Sequence, residues 1–401
     1  MSEYTLRCRV CEDVSVPVPH DTCVRCDGPT DVAYDWEWVR ANVSRATVAA
    51  GPPSLWRYRQ LLPGAARLDF GAGWTPLVRA ERLSQLLGVE LLLKLESANP
   101  TLSFKDRLAT IAAQVALDHG VTTLCCSSTG NLGDAVAAAA AAAGLEAIVL
   151  APVGDASIGS TATAAGARVL AVRGTYEDCR RLETGLHELF PWGFVGGNLH
   201  PYAAEGAKTI AYEIAEQLGW AFPDAIVCPT ASGTLFSKVA QGFAELTAAG
   251  LVSGDAPRMY GAQPAGASPI ASAYADDRHI SRVRPDTRVW SLAVGDPAYG
   301  ELAIGAARST RGAVVAVPEG DVQRFATLLA ETTGIFADTA GGVALGGLVD
   351  AVTSGLVEPG ARVVLVVTGA GAKPHGNTAE TTPAVIEPDV DDVLRQLGLT
   401  G

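Results

Sequence analysis

The stretch Lys94-Leu95-Glu96-Ser97-Ala98-Asn99-Pro100-Thr101-Leu102-Ser103-Phe104-Lys105-Asp106-Arg107 decides how the rest of the chain is read. A lysine follows a Pro-Thr-x-Ser turn and stands at the head of a helical pattern over residues 106–119, closed by Gly120. A second polar loop, Ser127-Ser128-Thr129-Gly130-Asn131, comes next and opens another helix. An amine held at a buried helix start can form a Schiff base with an aldehyde. The Ser-Thr-Gly-Asn loop offers hydroxyls and unpaired backbone N–H groups where an anion would bind. A lone lysine at a helix start is ordinarily solvated. The two loops together, in this order, carry more weight than either alone.

Around these loops, short apolar runs alternate with helical patterns. Strands are expected at residues 89–93, 123–127, 147–151, 168–172, 225–229, 259–262 and 363–367. Helices are expected at 106–119, 133–143, 176–189 and 207–218. Nearly continuous apolar strands alternating with helices predict an α/β fold with two parallel sheets, each covered on both faces. The alanine run 135–143 suits a helix packed closely on its neighbours, ended by Gly144. Residues 34–70, with Trp36, Trp38, Trp56 and Tyr58, read as a helical arm, and 374–388, rich in Thr, Pro and Glu, as a surface strap.

The chain has 401 residues, enough for two globular domains and an appendage, and 48% hydrophobic residues to fill their cores. A formal net charge of −13 argues against nucleic acid or an anionic membrane surface as partner. The most apolar stretch, 135–150, is mostly alanine with Glu146 inside it, too weakly hydrophobic for a membrane span. Cys8-x-x-Cys11 and Cys23-x-x-Cys26 can each present two thiolates to one ion, completing a tetrahedral zinc site. Two disulfides are the competing reading. The N-terminus shows no leader, so a cytoplasmic protein is expected and disulfides are disfavoured. A ribbon this short has almost no core, so the metal would supply its folding energy. Cys125, Cys126, Cys179 and Cys228 read as buried small hydrophobes.

The run 94–107 resembles the Schiff-base lysine motif of the threonine synthases, pyridoxal 5′-phosphate (PLP) enzymes of the tryptophan-synthase-β fold, or fold type II. Further matches follow in family order: Gly73-Trp74-Thr75-Pro76-Leu77, residues 127–131, Glu205-Gly206-Ala207-Lys208-Thr209, Met259-Tyr260-Gly261-Ala262-Gln263 and Thr368-Gly369-Ala370-Gly371. The resemblance implies a two-domain fold type II enzyme with a small N-terminal zinc ribbon carried by four cysteines. The expected divisions are a ribbon over 1–33, a large PLP-binding domain over 34–118 and 219–401, and a small domain over 119–218. It implies that Lys105 is catalytic and carries the cofactor, and that Asn131 bonds the cofactor's phenolic oxygen. Ser128, Thr129, Asn131 and Leu132 would hold the substrate α-carboxylate. Thr230, Ala231, Ser232, Gly233 and Thr234 would cradle the phosphate at a helix start, and Thr368 would face the pyridine nitrogen. The substrate would be a small amino acid, and the assembly a homodimer.

The chain departs from the family pattern around the substrate side chain. Ala203 or Ala204 stands where an arginine helps hold a substrate phosphate, so a charge-assisted contact is lost. Leu102 and Leu108 stand where glycines are common, Leu132 replaces a threonine, and Ala370 replaces a histidine. Lys94 and Lys208 are the cations expected to remain near that anion. These features predict a PLP-dependent lyase or replacement enzyme, threonine synthase-like with altered specificity, acting on an amino acid with a β or γ leaving group. The alternatives are a true threonine synthase converting O-phosphohomoserine to threonine, a cysteate- or cysteine-synthase-like β-replacement enzyme, and a non-catalytic PLP-fold regulatory protein.

Overall fold

The computed structural model describes residues 4–20, 22–128, 130–153, 160–372 and 383–399. The chain folds as two compact units, one built from residues 1–72, 105–206 and 373–401, the other from 73–104 and 207–372. This division differs from the expected 1–33, 34–118 with 219–401, and 119–218. The reason lies in partners that local pattern cannot reveal. The N-terminal arm packs with the lysine helix, and a short strand near the C-terminus joins the sheet of the first unit.

The first unit holds a five-stranded parallel sheet in the order Ala384–Ile386, Arg168–Val172, Glu146–Pro152, Thr123–Ser127, Gly193–Phe194. Strand residues Cys125, Ile148, Leu150, Leu170 and Val172 pack against Leu182 and Leu186 of helix Tyr176–Leu189. That helix begins on a capping box, with Thr175 and Asp178 satisfying each other's backbone N–H. On this unit the lysine helix Lys105–Asp118 packs along the alanine-rich helix Asn131–Ala143, where small side chains allow close approach. Part of the expected strap is therefore a strand: Ala384–Ile386 pairs with Arg168–Val172, and Ile386 is buried. Residues 374–382 of that strap lie outside the described residues.

The N-terminal segment of this unit is a three-stranded antiparallel ribbon, Val14–Ser15 and Thr30–Tyr34 flanking Tyr4–Cys8. The expected arm forms helices Trp36–Asn42 and Arg45–Ala49 and the 3₁₀ segment Leu55–Leu61. Gln114 of the lysine helix accepts N–H bonds from Arg67 and Leu68 at 2.7 and 2.8 Å, fastening the arm to that helix.

The second unit holds a six-stranded sheet in the order Ala313–Val317, Arg258–Pro264, Ala225–Pro229, Arg362–Val367, Glu90–Leu95, Leu77–Arg79. All pairs are parallel except the edge strand Leu77–Arg79. Helix Thr339–Thr353 buries Val343, Leu345 and Leu348 in the same core as Leu91, Val227 and Leu365. Full burial of each such side chain is worth about 1.5–3 kcal/mol. Apart from that one edge strand, both sheets are parallel and flanked by helices, as expected. Helix His200–Gln217 runs across the boundary between the units in sequence. It starts earlier than expected because Pro201 sits in its first turn, where a missing N–H costs nothing.

Candidate active site

In open α/β sheets, ligands gather beyond the carboxyl ends of the strands. Each unit places its expected site residues there. In the first unit, strand Thr123–Ser127 runs directly into the loop that opens helix Asn131–Ala143. Ser128 is buried, and its Oγ accepts N–H bonds from Gly130 at 3.0 Å and Gly133 at 2.7 Å. Gly130, at φ 136° and ψ −96°, takes a backbone conformation open to glycine alone. Gly130 itself gives the helix no side-chain cap; Ser128 takes the Gly133 N–H, and the N–H groups of Asn131 and Leu132 are the ones open to an external anion. Asn131 and Leu132 are its first two residues and are half-buried. Thr129 lies outside the described residues.

Lys105 is the first residue of its helix and is half-buried. Burial lowers its amine pKa to about 8, and the neighbouring Cys126, two residues before Ser128, opposes that shift. An amine with this pKa offers far more of its neutral, nucleophilic form near neutral pH than an ordinary lysine does.

In the second unit, strands Ala225–Pro229 and Arg362–Val367 are parallel neighbours, so the residues after them emerge side by side. Thr230 donates its hydroxyl inward to the Cys228 carbonyl at 3.3 Å, and its N–H to Ala262 at 2.8 Å. The Ser232 and Thr234 hydroxyls lie 3.0 Å apart. Gly233 stands at φ +87°, just before helix Thr234–Ala248, which also has no side-chain cap there. Of the three hydroxyls expected to anchor a phosphate, Thr230's is turned into the protein, and the other two stay at the helix start. Thr368 is buried, and its carbonyl accepts the Phe104 N–H at 3.0 Å. Ala370 donates to the Leu102 carbonyl at 3.0 Å, and Ser103 bridges to Gly369. The loop that leads into Lys105 is therefore stitched along its length to residues 368–370.

Five non-glycine residues of this unit lie in the left-handed region, among them Leu102 at φ +65° in the lysine loop and Trp74 at φ +50°. Such positions cost about 1–3 kcal/mol in a residue with a side chain and cluster at functional sites. A buried network holds Trp74 in place. Glu213 accepts the Trp74 N–H at 2.8 Å and the Thr75 N–H at 3.1 Å, and pairs with Lys94 at 2.7 Å. Lys94 also donates to the Thr75 carbonyl at 2.7 Å and to Gln217 at 3.0 Å.

That network corrects one expectation. Lys94 and Lys208 are not cations waiting for a substrate anion. Lys94 is fully buried and spends its donors on Thr75, Glu213 and Gln217. Lys208 is fully buried against Glu245 at 2.9 Å, and Glu245 also accepts from Tyr212 and Gln241. A buried ammonium is tolerated only when paired in this way.

The residues fit a phosphorylated pyridine aldehyde. The Ser103 hydroxyl, in the loop before Lys105, is fully buried with no hydrogen-bond partner among the described residues. At two helix starts beyond strand carboxyl ends the cap position is a glycine, Gly130 or Gly233, which supplies no side-chain bond. A lysine amine of lowered pKa completes the set.

The four N-terminal cysteines are all free thiols, with their ligand atoms within 4.8 Å of one another. Cys8 and Cys26 sulfurs lie 3.5 Å apart, Cys11 and Cys23 3.7 Å, Cys11 and Cys26 3.4 Å. Backbone N–H groups of Val10 and Arg25 point at the Cys8 and Cys23 sulfurs. A Cβ on Gly28 would lie 3.0 Å from the Cys8 sulfur, so glycine lets the second knuckle close on the first. The other four cysteines are buried, as expected.

In each unit by itself, the residues beyond the strand ends suit a carbonyl cofactor: a lysine at a helix start in the first, and a glycine-headed helix start beside the stitched lysine loop in the second. The chain belongs to the pyridoxal-phosphate dependent enzyme family, whose sequence profile matches residues 68–369. Within that family it is threonine synthase-like. It is 33% identical to a threonine synthase of Methanocaldococcus jannaschii over 94% of this chain and 95% of that one. It is 31% identical to a threonine synthase of Methanosarcina acetivorans over 97% and 98%. Among solved structures, the fold is similar to the processed form of threonine deaminase isoform 2 from Solanum lycopersicum (TM-score 0.64, 22% identity, 75% of this chain and 84% of that one). It is also similar to diaminopropionate ammonia lyase from Escherichia coli (TM-score 0.65, 19% identity, 82% and 89%). These are fold type II relatives, and the likeness bears on the fold. Among the described residues no helix is long and apolar enough to cross a membrane.

Proposed function

We propose that this chain is a threonine synthase-like lyase or replacement enzyme whose substrate is an amino acid with a β or γ leaving group, and whose specificity has moved away from O-phosphohomoserine. When bound, PLP supplies an electron sink for a carbanion at the substrate Cα. Lys105 would hold the cofactor through its amine, and the same amine would move the proton at the substrate Cα. Ser128, Thr129, Asn131 and Leu132 hold the α-carboxylate at the start of helix Asn131–Ala143, and Asn131 also bonds the phenolic oxygen of the cofactor. Thr230, Ala231, Ser232, Gly233 and Thr234 hold the phosphate. Thr368 offers a neutral hydroxyl to the pyridine nitrogen, which does not enforce protonation there as a carboxylate would.

The observation that carries the reading is the stitched lysine loop, with Phe104 tied to Thr368 and an amine of pKa about 8 in the next residue. Borohydride treatment of the holoenzyme is expected to fix PLP on the peptide containing Lys105. Label on any other lysine sinks the assignment.

The altered specificity rests on buried alanines. Ala203 and Ala204 are at most 1% exposed, so nothing at the arginine position reaches a ligand. Neither Lys94 nor Lys208 replaces that charge. Loss of one charged hydrogen bond costs about 1.5–3 kcal/mol, or roughly ten- to a hundredfold in kcat/KM. The test compares kcat/KM for O-phosphohomoserine, O-phosphoserine and O-acetyl amino acids. A clear lead for O-phosphohomoserine with threonine as product establishes the second reading, a true threonine synthase. Its support is the near full-length similarity to two proteins of that name.

Cys8, Cys11, Cys23 and Cys26 are proposed to hold one structural zinc. Sulfurs at about 2.3 Å from a tetrahedral ion stand roughly 3.8 Å apart, close to the spacings observed. Metal analysis should return about one zinc per chain. A disulfide map joining these cysteines refutes the site.

A further inference from the structure

Helix Tyr176–Leu189 turns Cys179, Leu182 and Leu186 to the core, and among them it buries a carboxylate, Glu183. Each oxygen of Glu183 accepts one backbone N–H, from Ser127 at 2.9 Å and from Gly196 at 3.1 Å. The reason for this carboxylate lies in the sheet. Strand Thr123–Ser127 has the long strand Glu146–Pro152 on one side and only Gly193–Phe194 on the other. On the short side, Val195 donates to the Cys125 carbonyl at 3.0 Å, and there the ladder stops. The chain then turns, with Gly197 donating back to Phe194. Ser127 N–H is left without the acceptor that another strand residue would have supplied. Glu183 takes that place.

On the long side, Ser128 donates to the Leu150 carbonyl at 2.9 Å. The first two residues of the turn are thus held from both flanks, one by a strand and the other by a side chain. Gly196 makes room for this arrangement: a Cβ there would lie 2.9 Å from the Glu183 carboxylate. Burial pushes the Glu183 pKa up, and Ser127, through its side chain and its N–H, together with Arg180 and the Gly196 N–H, opposes that shift. An apolar residue in its place would fill the volume but leave the buried Ser127 N–H without an acceptor.

We propose that Glu183 is a positioning residue: by holding Ser127, it sets where Ser128 and Asn131 meet the α-carboxylate of the substrate. This rests on the reading of residues 128–132 as the carboxylate-holding turn. Glu183 touches neither substrate nor cofactor in this role, and no family position was expected to do this work.

The test uses the holoenzyme and two unreactive probes, L-norvaline and butylamine, which differ only in the carboxylate. Absorbance titration gives both affinities. The wild-type enzyme should bind L-norvaline at least about tenfold more tightly, the size of one or two charged hydrogen bonds. Glu183→Gln keeps the shape and one acceptor but sets an amide NH2 against one of the two N–H groups. It should reduce that preference to within about threefold, leave butylamine binding unchanged and leave PLP affinity unchanged. Amide exchange at Ser127 and Gly196 should quicken, while exchange over residues 225–229 stays as it was. If Glu183→Gln fails to take up PLP, Glu183→Asp, shorter by one methylene, serves in the same comparison. A wild-type preference that survives in the variant overturns the Glu183 assignment alone. A wild-type enzyme with no preference overturns the reading of the turn, and the positioning role falls with it.

Discussion

Two strand-to-helix turns, residues 127–131 and residues 230–234, use the same local device and are held in opposite ways. Each follows a parallel strand and opens a helix at a glycine, Gly130 or Gly233, which gives no side-chain cap. Backbone fixes the second. Thr230 donates its N–H to Ala262, Tyr299 donates to the Ser232 carbonyl at 2.8 Å, and Gly233 presses against the Tyr299 carbonyl. The first turn shares one such backbone bond, from Ser128 N–H to Leu150, but side chains complete it: the Ser128 hydroxyl bonds Gly130 and Gly133, and Glu183 bonds Ser127. A turn held by backbone keeps its shape whatever the surrounding side chains become. A turn held by side chains changes shape with single substitutions. The first arrangement suits a group common to the whole family, the cofactor phosphate. The second suits a ligand that differs from enzyme to enzyme.

The comparison is broken most sharply at Gly233. A Cβ there would lie 2.5 Å from the Tyr299 carbonyl oxygen, in a residue already at φ +87°. Neither backbone can give way cheaply. Gly233→Ala should strain the turn by about 1–3 kcal/mol, lowering PLP affinity roughly five- to 150-fold. The amino-acid KM of whatever holoenzyme forms should change little. Equilibrium titration of the apoenzyme with PLP measures the first quantity. Wild-type affinity in the variant would mean that the backbone clamp does not shape the phosphate site.

Ser128→Ala attacks the other turn. It removes the acceptor of two N–H bonds at the head of helix Asn131–Ala143. Losing a cap of this kind costs about 0.5–2 kcal/mol. KM for the amino acid should rise up to about thirtyfold, with PLP affinity unchanged. A fall in PLP affinity equal to the rise in KM would erase the distinction between the turns.

These two turns also mark what the sequence made legible. Strands Arg168–Val172 and Ala225–Pro229 and helix Tyr176–Leu189 fall where apolar runs and caps place them, because local pattern determines them. The division into units was not legible. Which strand pairs with which is a long-range choice, and residues 384–386 carry no local sign that they complete a sheet begun at residue 123. The buried charges were hidden for a related reason. Lys94, Lys208 and Glu183 lie in segments where a charged residue would ordinarily face solvent, and only the partners Glu213, Glu245 and the Ser127 N–H explain their burial. Leu102 is the intermediate case. Its place in a glycine-prone loop was visible, and the left-handed backbone at φ +65° is the physical content of that departure.

The smallest effect separates the turns through the lysine that precedes them both in sequence. Lys105 belongs to the same unit as the side-chain-held turn, and its amine senses Cys126 at the end of that turn's strand. Burial disfavours the ammonium, so the pKa falls from 10.5 to about 8. The sign follows directly. Below about pH 8 the amine is mostly protonated and cannot attack an aldehyde; above it the neutral form dominates. Covalent uptake of PLP by the apoenzyme should therefore speed up about tenfold between roughly pH 7 and pH 9, then level off. Over the window from about 8 to 10.5 the unfolded chain binds more protons at this site than the folded one. Apoenzyme stability should then rise with pH across that window. Stopped-flow absorbance on the apoenzyme measures the midpoint. A midpoint near 10.5 would show an amine solvated as in a peptide, and the low-pKa lysine would drop out of the argument. Ser128→Ala should leave the midpoint where it is, because burial rather than the turn's hydrogen bonds sets it. A midpoint that moves with Ser128→Ala would mean that the turn and the lysine form one electrostatic unit.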